Sequence, residues 1–182
     1  MIYQDTWING SLHAKGIREC ESRYQIIKGF CDQKFHEPFT VLDIGANMCY
    51  FGLRLIEDFG CSVMAFEFNS FEMREEIVKK NKTNKLLFLK RKISIADLNI
   101  LAACCQFDLV LAMSVMHHLP GDHNEWLQAF KAVGKNAIVE YALEDSKRTA
   151  IRENYAVPKD ATWLGYADSH LNKNINRPIV LL

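Results

Sequence analysis

The chain carries no net charge, its 22 Lys and Arg matching its 22 Asp and Glu across 182 residues. No global field therefore recruits nucleic acid or an anionic membrane. No apolar run approaches the roughly 20 residues that a bilayer-spanning helix requires. No basic-then-apolar leader opens the sequence. The six cysteines include no C-x-x-C pair, and the adjacent Cys104-Cys105 has no histidine at ligand spacing, so a zinc site is not expected. Buried thiols in a reducing cytoplasm are the expectation. Repeats and low-complexity linkers are absent, and 49% hydrophobic content is ample for one core.

What is present alternates. Residues 17–31 show helical spacing, with Ile26, Ile27 and Phe30 on one side, behind an N-terminal segment of aromatic and polar residues. Strand patterns follow at 40–44, 62–66, 86–89, 107–112 and 137–141. Helical stretches lie between them at 50–59, 70–82, 95–103 and 126–133. Two late strands are expected at 162–166 and 178–182. This rhythm implies parallel βαβ units and an α/β, doubly wound, Rossmann-like fold. We expect one domain over residues 1–182, with an N-terminal helical cover over about 1–36 and a core over about 37–182. Ending on a strand suits either a compact terminus or an excised domain. Trp126 and Trp163 suit either core or interface.

Residues 41–52, VLDIGANMCYFG, carry the most chemistry. An apolar strand runs into Asp43, a glycine turn follows at Gly45, and an amphipathic helix opens near Tyr50. Ligands of doubly wound sheets sit beyond such strand ends. A dinucleotide fingerprint needs small residues at three places, so that pyrophosphate can reach backbone N–H groups at a helix start. Read from Gly45, those places hold Gly45, Asn47 and Tyr50, and two of the three fail. An acid beside the turn repels pyrophosphate and suits a cationic ligand end. S-adenosyl-L-methionine, with its ammonium and sulfonium, is such a ligand, so the stretch favours methyl transfer over hydride transfer.

Glu67 lies 22 residues past Gly45, at the end of the second strand. An acid there can accept both ribose hydroxyls of an adenosine, although solvated acids are common at strand ends. The fourth strand, expected beside the first across the switch point, leads into Met113, Ser114 and His117-His118. Two imidazoles at that place serve as acid–base or anion-binding groups, or else cap and pack the next helix.

These pieces together resemble the class I S-adenosylmethionine-dependent methyltransferases. More narrowly, the chain is similar to the methyltransferase domain of bacterial O-antigen chain-terminating methyltransferase/kinases. The resemblance spans nearly the whole chain in separate blocks: Tyr3-Gln4 with Trp7, Arg18-x-Cys20-x-x-Arg23, VLDIG, FDLVLAMSVMHHL, AIVEYAL, and a tail with Asp168-x-His170-Leu171 and Arg177. It implies a class I methyltransferase sheet, mostly parallel with an antiparallel last strand, and S-adenosyl-L-methionine as cofactor. It further implies that Tyr3, Gln4 and Arg23 close over the cofactor, with Arg23 gripping the methionine carboxylate. By the same resemblance Asp43, Gly45 and Asn47 line the methionine side, and Glu67 and Phe68 lie at the ribose and adenine edge. Arg91, Lys92, Ile93 and Ser94 form the adenine loop, and Met113 flanks the cofactor.

In the resembled family the acceptor is a phosphate on the terminal sugar of a polysaccharide, placing such enzymes in polysaccharide biosynthesis. Arg18, His117, His118, His170 and Arg177 are the cations able to position such an anion, with His117 and His118 the candidate catalytic pair. No protein-kinase motif set occurs in the chain, so a kinase or glycosyltransferase would be a separate partner. The pattern departs from the family at Cys49, where a glycine is usual, and at Asn47, where many relatives carry another. A side chain there narrows the approach to the methionine tail, which weakens binding or marks a non-catalytic relative. A small-molecule O-methyltransferase shares the cofactor half. An RNA methyltransferase draws on Lys79, Lys80, Lys82, Lys85, Lys90, Arg91 and Lys92, but that run lacks interleaved aromatics for base stacking, and nucleic acid is disfavoured.

Overall fold

The computed structural model describes residues 2–69, 72–143, 155–171 and 174–182, the side chains of residues 72 and 73 excepted. They fall into two compact units, Met1–Lys92 and Ile93–Leu182. The fold is α/β and Rossmann-like, with seven sheet strands, mostly parallel and antiparallel at one edge.

The first unit opens with a hairpin, β1 (Thr6–Ile8) and β2 (Ser11–Ala14). Its turn uses Asn9 and Gly10 at φ 46° and 81°, the backbone that an Asn-Gly dipeptide adopts most readily. The sequence reading placed no strands here, only a helical cover over about 1–36 whose helical spacing lies at 17–31. Then come α1 (Glu21–Lys34), β3 (Thr40–Ile44), α2 (Tyr50–Phe59), β4 (Ser62–Phe66), α3 (Glu72–Asn81) and β5 (Leu86–Leu89). The three sheet strands are parallel in the order β5-β4-β3. Val41, Leu42, Asp43 and Ile44 are all buried, as in a parallel strand covered on both faces.

The second unit contains α4 (Ile95–Cys104), β6 (Leu109–Met113), a 3₁₀ turn (Met116–His118), α5 (His123–Val133), β7 (Ala137–Glu140), β8 (Thr162–Asp168) and β9 (Asn176–Leu181). Its strand order is β6-β7-β9-β8, so the later strand inserts between β7 and β8 and leaves β8 at the edge. β6 and β7 are parallel, and β9 is antiparallel to both neighbours. Helix α4 starts at a capping box. The Ser94 hydroxyl accepts from the Asp97 N–H, and the Ser94 N–H donates to the Asp97 carboxylate. Helix α5 begins three residues before its predicted start, because the Asp122 carboxylate accepts from the Asn124 N–H and caps it there. Gly134 is required by a close approach: a Cβ on it would lie 2.4 Å from Val110 Cγ2. Among the described residues, no helix is long and apolar enough to cross a membrane.

Candidate functional site

Beyond β3 the chain makes a tight loop with alternate residues in the left-handed region. Gly45 has φ 73°, Asn47 49° and Cys49 61°. The loop is tied to the next strand, for the Gly45 and Ala46 N–H groups both donate to the Phe66 carbonyl, at 2.9 and 3.0 Å. Glycine adopts this backbone without penalty and asparagine tolerates it. Cysteine at such a φ costs of order 1–3 kcal/mol, so the departure at Cys49 is a departure in backbone chemistry as well as in sequence.

Glu67 holds the far side of the loop. Its Oε2 accepts from the Asn47 N–H at 3.1 Å and its Oε1 from the Asn69 N–H at 2.8 Å, in a largely buried position. Arg74 closes the same clamp from α3. Its Nη1 donates to the Asn47 carbonyl at 3.0 Å, its Nη2 donates to the Asn69 carbonyl, and its guanidinium sits 4.6 Å from the Phe88 ring centre. Sequence reasoning missed Arg74, since an arginine on a charged helix reads as solvated. Only tertiary packing buries it.

Gln4 reaches the loop from the N-terminal segment. Its side-chain oxygen accepts from the Met48 N–H at 2.9 Å and the Tyr50 N–H at 3.5 Å. Cys49, at the N-cap of α2, makes no side-chain cap bond, so a residue distant in sequence does the capping. The Gln4 backbone is fixed by a bridge to Arg18, and Gly16 makes that bridge feasible: a Cβ there would lie 2.4 Å from the Gln4 carbonyl carbon. Asp5 locks the same turn by accepting from the Gly16 and Cys20 N–H groups.

Asp43 is 1% exposed, and its Oδ2 has no hydrogen-bond partner. Burial pushes its carboxyl up to about 7, the Glu67 charge adds to the rise, and Arg18 opposes it. Gly52 of α2 packs over the same strand pair: a Cβ there would press on Val63 Cγ1 at 3.1 Å and touch Asp43 Oδ2 at an ordinary 3.7 Å.

The other residues expected in this unit are spread around the loop. Arg23 is buried and donates from Nη1 to the Glu19 carbonyl at 2.6 Å. Arg18 lies 6.0 Å from the Tyr3 ring centre. Phe68 is 57% exposed just past Glu67, with Lys92 Nζ 5.9 Å from its ring centre. Arg91 lies 6.0 Å from the Phe66 ring centre.

In the second unit, Met113 ends β6 in a buried position and Ser114 follows at φ 57°. The Ser114 hydroxyl accepts from Arg177 Nη1 at 2.6 Å, and Arg177 pairs with Glu140 at 4.0 Å, both side chains fully buried. His117 is buried and His118 exposed, with ring centres 4.0 Å apart. His170 is half-buried. Ile93 is buried, and Ser94 is committed to the cap of α4.

A second imidazole group went unread in the sequence. His123 Nε2 lies 3.0 Å from the Tyr141 hydroxyl, and its ring contacts Tyr155, whose hydroxyl accepts from the Ala142 N–H. Burial holds His123 down to about 4, partly offset by Asp122 and by a backbone bond at Ala156, so the ring is neutral at physiological pH. Among the described residues no cluster of three or more His, Cys, Asp or Glu side chains could hold a metal ion.

No protein-family model matches the chain, and no curated protein matches it. Solved structures do. A crystal structure of WbdD bound to a kinase inhibitor aligns with TM-score 0.74 and 20% identity, covering 100% of this chain and 45% of that one. A structure of the bifunctional kinase-methyltransferase WbdD aligns at 0.72 and 20%, covering 100% and 44%. The N-terminal domain of EvdMO1, crystallised in the presence of SAH and D-fucose, aligns at 0.62 and 14%, covering 98% and 89%. Magnesium protoporphyrin IX methyltransferase (ChlM) from Synechocystis PCC 6803, with bound SAH, aligns at 0.58 and 11%, covering 88% and 81%. At these identities the likeness establishes the fold alone, an α/β Rossmann-like one that these methyltransferase structures share. The chain spans less than half the length of WbdD.

Proposed function

We propose that the chain is an S-adenosylmethionine-dependent methyltransferase whose acceptor is a phosphate or hydroxyl of a glycan. The observation that carries this reading is the pair of buried carboxylates on adjacent parallel strands, Asp43 in the penultimate position of β3 and Glu67 just past the end of β4, Asp43 Oδ2 having no partner. An unpartnered buried acid suits a cationic ligand and repels a pyrophosphate. The residues present therefore fit S-adenosylmethionine. When bound, that cofactor supplies an electrophilic methyl group on a sulfonium.

The two N–H bonds on Glu67 occupy two of about four acceptor sites on a carboxylate, leaving capacity for ribose hydroxyls. The exposed ring of Phe68, with Lys92 Nζ 5.9 Å from its centre, offers an apolar face to an adenine, and Arg91 and Ile93 remain proposed members of the adenine loop. The polar groups of exposed Ser94 all serve the cap of α4, which leaves its part in the adenine loop to backbone position alone. Gly45 and Asn47 line the methionine side, while Gln4 sets the loop by capping α2. Tyr3 and Arg23 cover the same side from the N-terminal segment.

His117 and His118 follow Met113 at the carboxyl end of β6, where acceptors of this fold are bound. A phosphate oxygen is already anionic and asks only to be aligned, so the histidines then act as positioning cations. A sugar hydroxyl requires one of them to take a proton. That EvdMO1 was crystallised in the presence of SAH and D-fucose supports a sugar acceptor, and the likeness to the bifunctional kinase-methyltransferase WbdD supports a kinase partner; a glycosyltransferase partner is proposed from the resemblance alone. Six free cysteines support a reducing, cytoplasmic setting.

A second reading, a cofactor-binding relative without catalysis, rests on the strained backbone at Cys49. Calorimetry with S-adenosylmethionine and S-adenosylhomocysteine, followed by labelled-methyl transfer to sugar phosphates, free sugars and RNA, tests both. Binding with transfer to a sugar or sugar phosphate supports the enzyme. Binding without transfer to any acceptor supports the relative, and no binding refutes both.

A further inference from the structure

Strand β8 reads Thr-Trp-Leu-Gly-Tyr-Ala-Asp and forms an edge of the sheet. Residues three apart on a regular strand point to opposite faces. Here Trp163 pairs with Val180 and Gly165 with the next residue, Ile179, so Leu164 is one residue extra. That bulge turns Trp163 and Tyr166 to the same side. Their ring centres are 5.5 Å apart with planes inclined by only 32°, and the residues are 52% and 58% exposed.

The register places Tyr166 past the ligand end of its unit and Trp163 level with Ala112, one residue short of it. Met113 aligns with Glu140, Glu140 with Ile179 and Ile179 with Gly165, so Tyr166 to Asp168 run past the level at which β6 and β7 end. In this fold class ligands bind beyond that end. Strand β8 lies three strand spacings from β6, about 14 Å.

We propose that Trp163 and Tyr166 are a stacking platform for sugar rings of an extended acceptor glycan, distant from the end that receives the methyl group. The link to an acceptor rests on the methyltransferase reading; the platform itself rests on the two rings. The electron-rich aromatic faces meet the apolar, weakly positive C–H faces of pyranoses. Two aromatic side chains cover at most roughly 300–500 Å², short of the ~800 Å² per partner of a standard protein interface. A nucleic-acid strand would need cations beside the rings to hold its phosphates, and β8 itself carries no Lys or Arg.

The test uses the full chain. Linear glucose and mannose oligosaccharides, from disaccharide to hexasaccharide, are titrated by calorimetry, with Trp fluorescence in parallel. S-adenosylhomocysteine affinity is measured on the same samples, and sedimentation reports oligomeric state. Longer oligosaccharides should bind more tightly than the disaccharide. Trp163→Ala and Tyr166→Ala should each weaken that binding tenfold or more and leave S-adenosylhomocysteine affinity unchanged. Failure of every oligosaccharide to bind, equal binding by both variants, or dissociation of a dimer by Trp163→Ala would each overturn the platform. Oligosaccharide binding lost in the variants, with no S-adenosylhomocysteine bound by any form, would keep the platform and remove the methyltransferase reading instead.

Discussion

Arg177 donates from Nη1 to the Ser114 hydroxyl across 2.6 Å, and in doing so it holds the left-handed residue that turns the chain out of β6 toward His117 and His118. The arginine is buried against Glu140, so it is part of the scaffold of the turn. Removing one partner of a buried charged pair costs roughly 3–5 kcal/mol, because the other is left without compensation. Arg177→Met should therefore lower the unfolding free energy by about 3 kcal/mol, read as a reduced midpoint in urea. A change below about 1 kcal/mol would show that the turn stands without it.

Gln4 caps α2 from outside the helix. Loss of an N-cap acceptor costs about 1 kcal/mol, and Gln4→Ala removes the acceptor of both bonds to Met48 and Tyr50. We expect that loss in denaturation, and a Gln4→Glu variant, which keeps an acceptor oxygen, should recover most of it. Equal losses in both variants would assign Gln4 a role other than capping.

Cys49 should discriminate between substitutions by backbone chemistry. At φ 61° glycine is free of the left-handed penalty, whereas a β-branched side chain is a severe outlier. Cys49→Gly should keep the stability of the parent and bind S-adenosylhomocysteine at least as tightly. Cys49→Val should lose about 1–3 kcal/mol. Thermal melts with and without ligand read both effects.

Asp43 and His123 impose opposite pH slopes on stability. The Asp43 carboxyl is raised to about 7, so between its unfolded value near 4 and pH 7 the folded state holds the extra proton, and this group lowers stability as pH rises. His123 is lowered to about 4, so between pH 4 and 6.5 the unfolded state holds the extra proton, and this group raises stability as pH rises. The two slopes largely cancel over that window, so Asp43→Asn should leave a rise of stability with pH there, and His123→Gln should leave a fall. Slopes unchanged in both variants would contradict the assignments.

Acceptor and cofactor chemistry should separate at the histidines. His117→Ala should weaken acceptor use while nearly preserving S-adenosylmethionine affinity. Equal loss of both counts against that role. If the acceptor is a hydroxyl, the rate should rise with pH as the imidazole deprotonates, and a phosphate acceptor should show no such step.

Much of the fold was legible because the central strands are short apolar runs between helical stretches. The expected bounds 40–44 and 62–66 are those of β3 and β4. Asp43 and Glu67 stood out as acids where apolar strands end. The first hairpin was not read, since its strands have only three and four residues, although Asn9-Gly10 carried the turn signal. Arg74 and the His123–Tyr141–Tyr155 cluster depend on contacts between distant segments, which no local pattern encodes. The place of β8 outside β9 was hidden for the same reason, and with it the bulge that aligns Trp163 with Tyr166.

The most direct measurement is calorimetric titration of S-adenosylmethionine at several pH values, in two buffers of different ionisation enthalpy. A cation bound beside Asp43 favours its ionised form, so binding should release a proton near pH 7 and tighten as pH climbs through that value, and Asp43→Asn should abolish both effects. No affinity for S-adenosylmethionine at any pH, with binding of NADH or a nucleoside triphosphate instead, would contradict the account.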